Sequence, residues 1–179
     1  HGRLQGDAQF KPAEGRLGGA VYLDGDGDAI DVNAFSLNTH AITMTAWIRG
    51  HRAGDWAGII HFKDALWGGG LYWCKKNHLH YTWNYDSPKT WKFHGPALRA
   101  DEWTFVAGVV DYDQATLYVY TRASGLKARI NKVAHQSQSV GKLRLGWDNA
   151  KDTWRFTGLM DDIRIYNHAL TRDQIERIL

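Results

Sequence analysis

The chain has a single cysteine, three prolines and three glutamates among its 179 residues. One cysteine excludes an internal disulfide, so the fold must be held by its hydrophobic core, with or without a metal. No apolar run approaches the ~20 residues of a transmembrane helix. No stripe of lysine and arginine and no recognition helix is visible, which argues against a nucleic-acid partner.

The scarcity of glutamate argues against an enzyme. A retaining glycoside hydrolase needs two carboxylates about 5–5.5 Å apart. Glu14 lies in a predicted loop, Glu102 before a strand and Glu176 in a terminal helix, so no two of them are close in sequence. The adjacent Asp161 and Asp162 project from opposite faces of a predicted strand and cannot act jointly. We therefore expect a non-catalytic protein.

The length and the turn-rich composition indicate one all-β domain. The 19 glycines suit many turns, and strand candidates follow one another at turn-bounded intervals, which is typical of a sandwich. We expect about eleven to thirteen strands, a hairpin turning at 111–114, and Cys74 as a small buried hydrophobe. Thr171 and Gln174 have the spacing of a capping box, which predicts a short C-terminal helix.

The net charge is a mild +3, which a mixed-charge surface explains. It leaves an acidic polysaccharide open as a ligand.

Acidic residues form two groups far apart in sequence. Asp24-Gly-Asp-Gly-Asp28 places three carboxylates at alternate positions, which suits a hard cation such as calcium with its six to eight oxygen ligands. Strand alternation puts Asp161 on the same face as Leu159, Ile163 and Ile165, where a carboxylate needs a partner. We predict a metal site from Asp24, Asp26, Asp28 and Asp161. The alternative is that Asp161 pairs with an arginine or accepts backbone N–H groups.

The chain has nine tryptophans. Sugars present flat C–H faces that stack on indole rings, and their hydroxyls need polar side chains nearby. We predict a ligand site that combines loop tryptophans with adjacent polar groups: Trp67, Trp83, Asn84, Trp91, Trp147, Asp148, Trp154 and Arg155. The alternative is that the stripe of Leu79, Tyr81, Trp83 and Tyr85 is core. His78 and His80 share one strand face, which we interpret as a polar outer face rather than a zinc site.

Four segments resemble laminin-G-like jelly rolls of the concanavalin A-like lectin/glucanase superfamily: 15–28, 42–48, 101–107 and 158–170. They occur in the family's order through most of the chain. The resemblance implies a two-sheet antiparallel jelly-roll sandwich, spanning 1–179 and excised from a larger protein. It also implies calcium between the acidic loop and the closing aspartates, and a secreted or cell-surface location.

Two functions are consistent with these residues and this resemblance. The first is a carbohydrate-binding module for a polysaccharide, possibly acidic, with a structural calcium ion. The second is an adhesion or protein-interaction domain. A groove floored by tryptophan favours the first, and a flat polar surface favours the second.

Overall fold

The computed structural model describes residues 2–32, 36–53, 55–62, 69–83, 88–147 and 153–179. Within these ranges the chain forms fifteen strands, more than the sequence predicted. They are β1 Arg3–Gln5, β2 Gln9–Lys11, β3 Ala20–Leu23, β4 Ala29–Val32, β5 Leu37–Thr39, β6 Ile42–Ala53, β7 Trp56–Phe62, β8 Gly69–Cys74, β9 His78–Thr82, β10 Thr104–Val110, β11 Ala115–Thr121, β12 Gly125–Asn131, β13 Gln138–Val140, β14 Leu143–Leu145 and β15 Arg155–Tyr166.

Helical structure in the described residues is short. A 3₁₀ turn at Lys75–Asn77 joins β8 to β9, α1 spans Pro88–Trp91, and α2 spans Arg172–Arg177. The capping box is confirmed: the Gln174 amide donates to the Thr171 hydroxyl, and the Thr171 amide donates to the Gln174 side chain. No helix among the described residues is long and apolar enough to cross a membrane.

The strands form two antiparallel sheets and a small third one. The first sheet has the order β1-β4-β14-β7-β8-β9, and the second has the order β12-β11-β10-β6-β15-β3-β2. Strands β13 and β5 pair separately. The predicted hairpin is confirmed, because β10 and β11 pair on either side of 111–114. The arrangement is the expected jelly-roll sandwich, in which each sheet buries one face.

The main core lies between the two sheets. Its members alternate along the strands with residues of the outward faces, and the largest include Phe62, Trp73, Tyr81 and Trp83. Cys74 is buried, as predicted. A smaller apolar cluster lies on the outward face of the second sheet, where Leu170 and Ile175 from the C-terminal segment pack on it.

The closing strand departs from the predicted alternation. Its pairing with β6 shifts directly after Asp161, and Asp162 adopts a left-handed φ of 47°. This bulge inserts one residue and reverses the phase of the side chains beyond it. Met160, Ile163 and Ile165 pack on the main core. The prediction that Asp161 shares a face with Ile163 and Ile165 is therefore wrong.

Candidate functional site

The outward face of the first sheet carries polar side chains on its central strands. These residues alternate with core residues of the same strands, so they project away from the second sheet. We call them the polar face: Asp31 of β4, Arg144 of β14, His61 of β7, Tyr72 of β8, and His80 and Thr82 of β9. Cross-strand register places Asp31 beside Arg144, Arg144 beside His61, and Tyr72 beside His80.

Hydrogen bonds fix the side chains of the polar face. The Arg144 guanidinium donates two bonds to the Asp31 carboxylate, at 2.7 and 2.9 Å, a geometry that is both strong and specific. The Tyr72 hydroxyl lies 2.9 Å from His61 Nδ1 and accepts a bond from the Thr82 hydroxyl at 3.4 Å. His61, Tyr72 and Thr82 are all buried. The face is therefore organised before any ligand arrives.

His80 has a buried acceptor without a partner. The side chain is 3% exposed, and its Nδ1 lies 3.3 Å from the backbone oxygen of Trp91. Since a carbonyl only accepts, Nδ1 carries the proton. Nε2 is then a lone-pair acceptor, and it has no hydrogen-bond partner among the described residues. Burial lowers the pKa of His80 to about 4, so the ring is neutral at neutral pH.

Indole rings stand beside the polar face. Trp56 contacts the Tyr72 ring at a centroid distance of 5.9 Å and the His80 ring at 5.3 Å, and Trp154 contacts Trp56 at 5.9 Å. Trp147 contacts two guanidinium groups, from Arg155 at 4.7 Å and from Arg144 at 5.0 Å. We call Trp56, Trp147 and Trp154 the aromatic wall. All three are half-buried, so part of each residue remains exposed.

The structure brings together several of the predicted ligand residues. Trp147 lies against the Arg155 guanidinium and Trp154 against Trp56, while Trp91 is half-buried and contacts the polar face through its backbone oxygen. The predictions at Trp67, Asn84 and Asp148 lie outside the described residues.

Trp83 is placed differently from the prediction. It is fully buried in the main core, and its indole N–H donates to the Gln136 backbone oxygen at 2.9 Å. A ring in that position has no face to offer a ligand. The alternative interpretation, a core stripe, is the correct one for Leu79, Tyr81 and Trp83.

Sequence reasoning missed Tyr72 and Arg144 as members of this site. Their neighbours in space come from other strands, so no local pattern marks them. A weak signal existed at His78 and His80, whose alternation predicted a polar outer face. The side chains of His80 and His94 lie 4.6 Å apart between ring centroids, and those of His78 and His94 lie 5.5 Å apart.

A cluster of three carboxylates lies at the acidic loop. Carboxylate oxygens of Asp7, Asp24 and Asp28 all lie within 4.8 Å of one another. Gly25 and Gly27 have positive φ angles of 84° and 83°, a conformation that favours glycine and lets the loop curl. Asp28 is 1% exposed, and its carboxylate accepts from the Asp7 amide at 2.9 Å and the Asp24 amide at 3.0 Å.

Burial raises the pKa of Asp28, and the neighbouring charges of Asp24 and Asp7 raise this pKa further. A cation between the three carboxylates relieves both effects, because it compensates the buried charge and separates like charges. The donor set is oxygen only, which suits calcium rather than zinc. The residues present therefore fit the metal that the sequence implied, with Asp7 as a member that sequence spacing did not reveal.

Two predicted metal ligands lie outside this cluster. Asp26 is 95% exposed at its side chain and pairs with Arg155 at 2.9 Å. Asp161 accepts amide hydrogens from Leu17 at 2.8 Å and Asp162 at 2.7 Å. Met160 pairs with Val21 near the start of β3, whereas Asp24 follows its end. Asp161 and the acidic loop are thus about 13 Å apart along the strand. Asp161 follows the alternative interpretation, with backbone donors as its partners.

Arg155 connects the acidic loop to the aromatic wall. Its Nη1 donates to the Asp26 carboxylate and, at 3.3 Å, to the Gly25 backbone oxygen. The same guanidinium stacks on Trp147. The glutamates lie elsewhere: Glu14 follows β2, Glu102 precedes β10, and Glu176 is in α2.

Structural comparison finds similar domains of low sequence identity. Domain 4 of AbnA, a GH43 extracellular arabinanase from Geobacillus stearothermophilus solved in complex with arabinotriose, is 20% identical with a TM-score of 0.64. The match covers 97% of this chain and 81% of that one. The botulinum neurotoxin serotype G binding domain is 14% identical with a TM-score of 0.71, over 99% of this chain and 45% of that one. This chain therefore spans less than half of the toxin domain.

A GH54 α-L-arabinofuranosidase is 11% identical with a TM-score of 0.66, over 89% of this chain and 39% of that one. These similarities establish the fold. No curated protein sequence matches the chain. Residues 24–176 match the family model described as the concanavalin A-like lectin/glucanases superfamily, laminin G type, and the chain belongs to this family.

Proposed function

We propose that this domain is a non-catalytic carbohydrate-binding module that holds a polysaccharide along the aromatic wall and the polar face. The observation that carries the proposal is the position of half-buried indole rings directly beside a pre-ordered hydrogen-bonding network. Ligand sites combine apolar surface with a few fixed polar groups. Sugars need both, because their C–H faces stack and their hydroxyls form hydrogen bonds.

Each part of the site has a distinct role in this proposal. The rings of Trp147 and Trp154 supply the stacking platform. His80 Nε2 accepts a hydrogen bond from a sugar hydroxyl, which satisfies a buried acceptor that otherwise costs about 1–3 kcal/mol. Arg144 and Arg155, whose guanidinium groups both lie against the Trp147 ring, donate to ring or hydroxyl oxygens.

The similar domains suggest which sugar to test first. Domain 4 of AbnA was solved with arabinotriose, and another similar structure is an α-L-arabinofuranosidase. We therefore propose α-L-arabinofuranose polymers as the first ligand class. The non-catalytic assignment is supported by the glutamates, none of which belongs to a strand of the first sheet.

We also propose that calcium occupies the cluster of Asp7, Asp24 and Asp28 and stabilises the acidic loop. Binding needs the deprotonated carboxylates and adds its free energy to folding. We assign the calcium ion a structural role, because Arg155 lies between the acidic loop and the aromatic wall and separates the ion from the stacking surface.

The test compares surface and core tryptophans. Isothermal titration with arabinotriose and an arabinan is performed on Trp147→Ala, Trp154→Ala and, as matched core control, Trp83→Ala. We expect the two wall variants to lose about 2 kcal/mol or more of binding and to keep a cooperative thermal transition. Trp83→Ala should instead lose about 3–5 kcal/mol of stability.

Arabinan incubated with the native domain should release no reducing ends, and release that persists after repurification contradicts the non-catalytic assignment. Absence of binding to these and other glycans on an array refutes the proposed carbohydrate-binding function. It favours the adhesion or protein-interaction domain.

A further inference from the structure

A cavity of about 290 Å³ lies on the opposite side of the molecule, against the outward face of the second sheet. Its lining is aromatic and basic, and we call it the arginine pocket: Arg16, Trp47, Glu102, Trp103, Tyr120 and Arg122. Register places Trp47 of β6 and Tyr120 of β11 on either side of Phe105 of β10. The three residues therefore share the outward face, far from the polar face.

The rest of this outward face is covered by the C-terminal segment. Leu170 and Ile175 pack in one cluster with Ala107, Val109 and Tyr118. At the pocket end, the Arg16 guanidinium lies 4.8 Å from the centroid of the Trp47 ring. Arg16 is itself exposed. An exposed arginine therefore lies against the Trp47 ring at the pocket.

Trp47 has a buried donor without a partner. The residue is 1% exposed, yet its Nε1 has no hydrogen-bond partner among the residues that the structure describes. An unsatisfied buried donor is unfavourable, and such groups are rare in folded proteins. In the core, by contrast, Trp83 Nε1 donates to a backbone oxygen. One residue that lines the pocket therefore has an unsatisfied buried donor.

The charges around the pocket indicate that the missing acceptor is anionic. Arg16 and Arg122 are exposed at its rim, and Arg49 lies 5.5 Å from the centroid of the Trp103 ring. Glu102 is the one acidic residue in the lining. Asp161, the register partner of Trp47 on β15, adds a second carboxylate beside the pocket. Three guanidinium groups against two carboxylates leave a net positive charge, and guanidinium binds carboxylate with two parallel bonds.

We propose that the arginine pocket is a second carbohydrate site, specific for an acidic sugar unit of the hexuronate class. The carboxylate of the ring accepts from Trp47 Nε1 and from the guanidinium of Arg16 or Arg122. The sugar ring stacks on Trp103 and Tyr120, and Glu102 accepts from its hydroxyls. The volume of about 290 Å³ suits one ring rather than a long segment.

The experiment titrates the native domain with a hexuronate trisaccharide, with the neutral hexose trisaccharide of the same linkage, and with its sulfated form. Arg122→Gln and Trp47→Phe should each weaken hexuronate binding about tenfold. Trp47→Phe keeps an aromatic ring but removes the N–H donor together with part of the buried indole, so its thermal transition is measured alongside binding. Arg177→Gln, an exposed arginine of α2, is the matched control and should bind normally.

Trp147→Ala should leave hexuronate binding intact, which separates this site from the aromatic wall. Binding should also weaken between 0.05 and 0.5 M salt, about as expected for a partly exposed ion pair. The proposal is overturned by absent hexuronate binding, by equal binding of the neutral trisaccharide, or by wild-type affinity in Arg122→Gln. Equal binding of the sulfated trisaccharide overturns the carboxylate assignment.

Discussion

Removal of calcium should lower the thermal stability of this domain through the cluster of Asp7, Asp24 and Asp28. Their carboxylate oxygens lie within 4.8 Å of one another. At that distance each pair of unit charges repels by about 1 kcal/mol in bulk water and about 3.5 kcal/mol at an effective dielectric of 20. Asp7 and Asp24 are exposed while Asp28 is buried, so the repulsion lies between these limits.

A bound cation reverses that repulsion, and its effect follows from mass action. Calcium at a hundredfold excess over its dissociation constant adds about 2.7 kcal/mol to the free energy of unfolding. For a domain of 150–250 residues each kcal/mol corresponds to about 2–4 °C. Adding calcium to the EDTA-treated protein should therefore raise Tm by about 5–10 °C.

Differential scanning calorimetry measures this shift, with magnesium as the competing ion. Asp28→Asn should abolish it. Asp26→Asn and Asp161→Asn should retain it, because the structure places both residues outside the cluster. A Tm that calcium and EDTA leave unchanged refutes the site. A shift that Asp161→Asn abolishes supports the ligand set expected from the sequence instead.

Two further predictions concern stability. Thr171→Ala removes the acceptor of the Gln174 amide and should lower the stability of the C-terminal helix by about 1 kcal/mol. Hydrogen exchange at 175–179 should become faster while the sandwich stays intact, and unchanged exchange contradicts the capping role. Burial lowers the pKa of His80 from 6.5 to about 4. The contribution of the neutral ring to the free energy of unfolding is therefore fully present above pH 6.5. The free energy of unfolding falls by about 2 kcal/mol at pH 5, and the loss levels off near pH 4. Urea unfolding at pH 7.5 and 5 checks this, and His80→Gln should show a smaller loss.

The sequence was sufficient for the fold because its signals are local. The turn at 111–114 and the capping box each depend on neighbouring residues, and both are confirmed. The family resemblance then ordered these elements into a two-sheet sandwich. Strand edges and short strands such as β1, β2 and β13 carry weaker patterns, which is why the structure has more strands than predicted.

The candidate site depended on information that alternation alone does not contain. The bulge after Asp161 changed the phase of β15, so an inward carboxylate became one held by backbone donors. Asp7 joined the acidic cluster through its position next to the 24–28 loop, although it lies 17 positions before Asp24 in the sequence. Trp56 and Tyr72 met His80 because three strands are adjacent in the sheet.

Arg155 shows how far the two parts of the candidate site depend on each other. Its partner Asp26 is 95% exposed, and exposed ion pairs contribute about 0–1 kcal/mol. Stacking on Trp147 and the bond to the Gly25 backbone oxygen do not involve Asp26, so we expect both to persist when Asp26 is neutral. The position of Arg155 is therefore set mainly by the aromatic wall and the backbone of the loop. For this reason Asp26→Asn tests the metal ligands without disturbing the stacking surface. A loss of the calcium-induced Tm shift in that variant would identify Asp26 as a metal ligand.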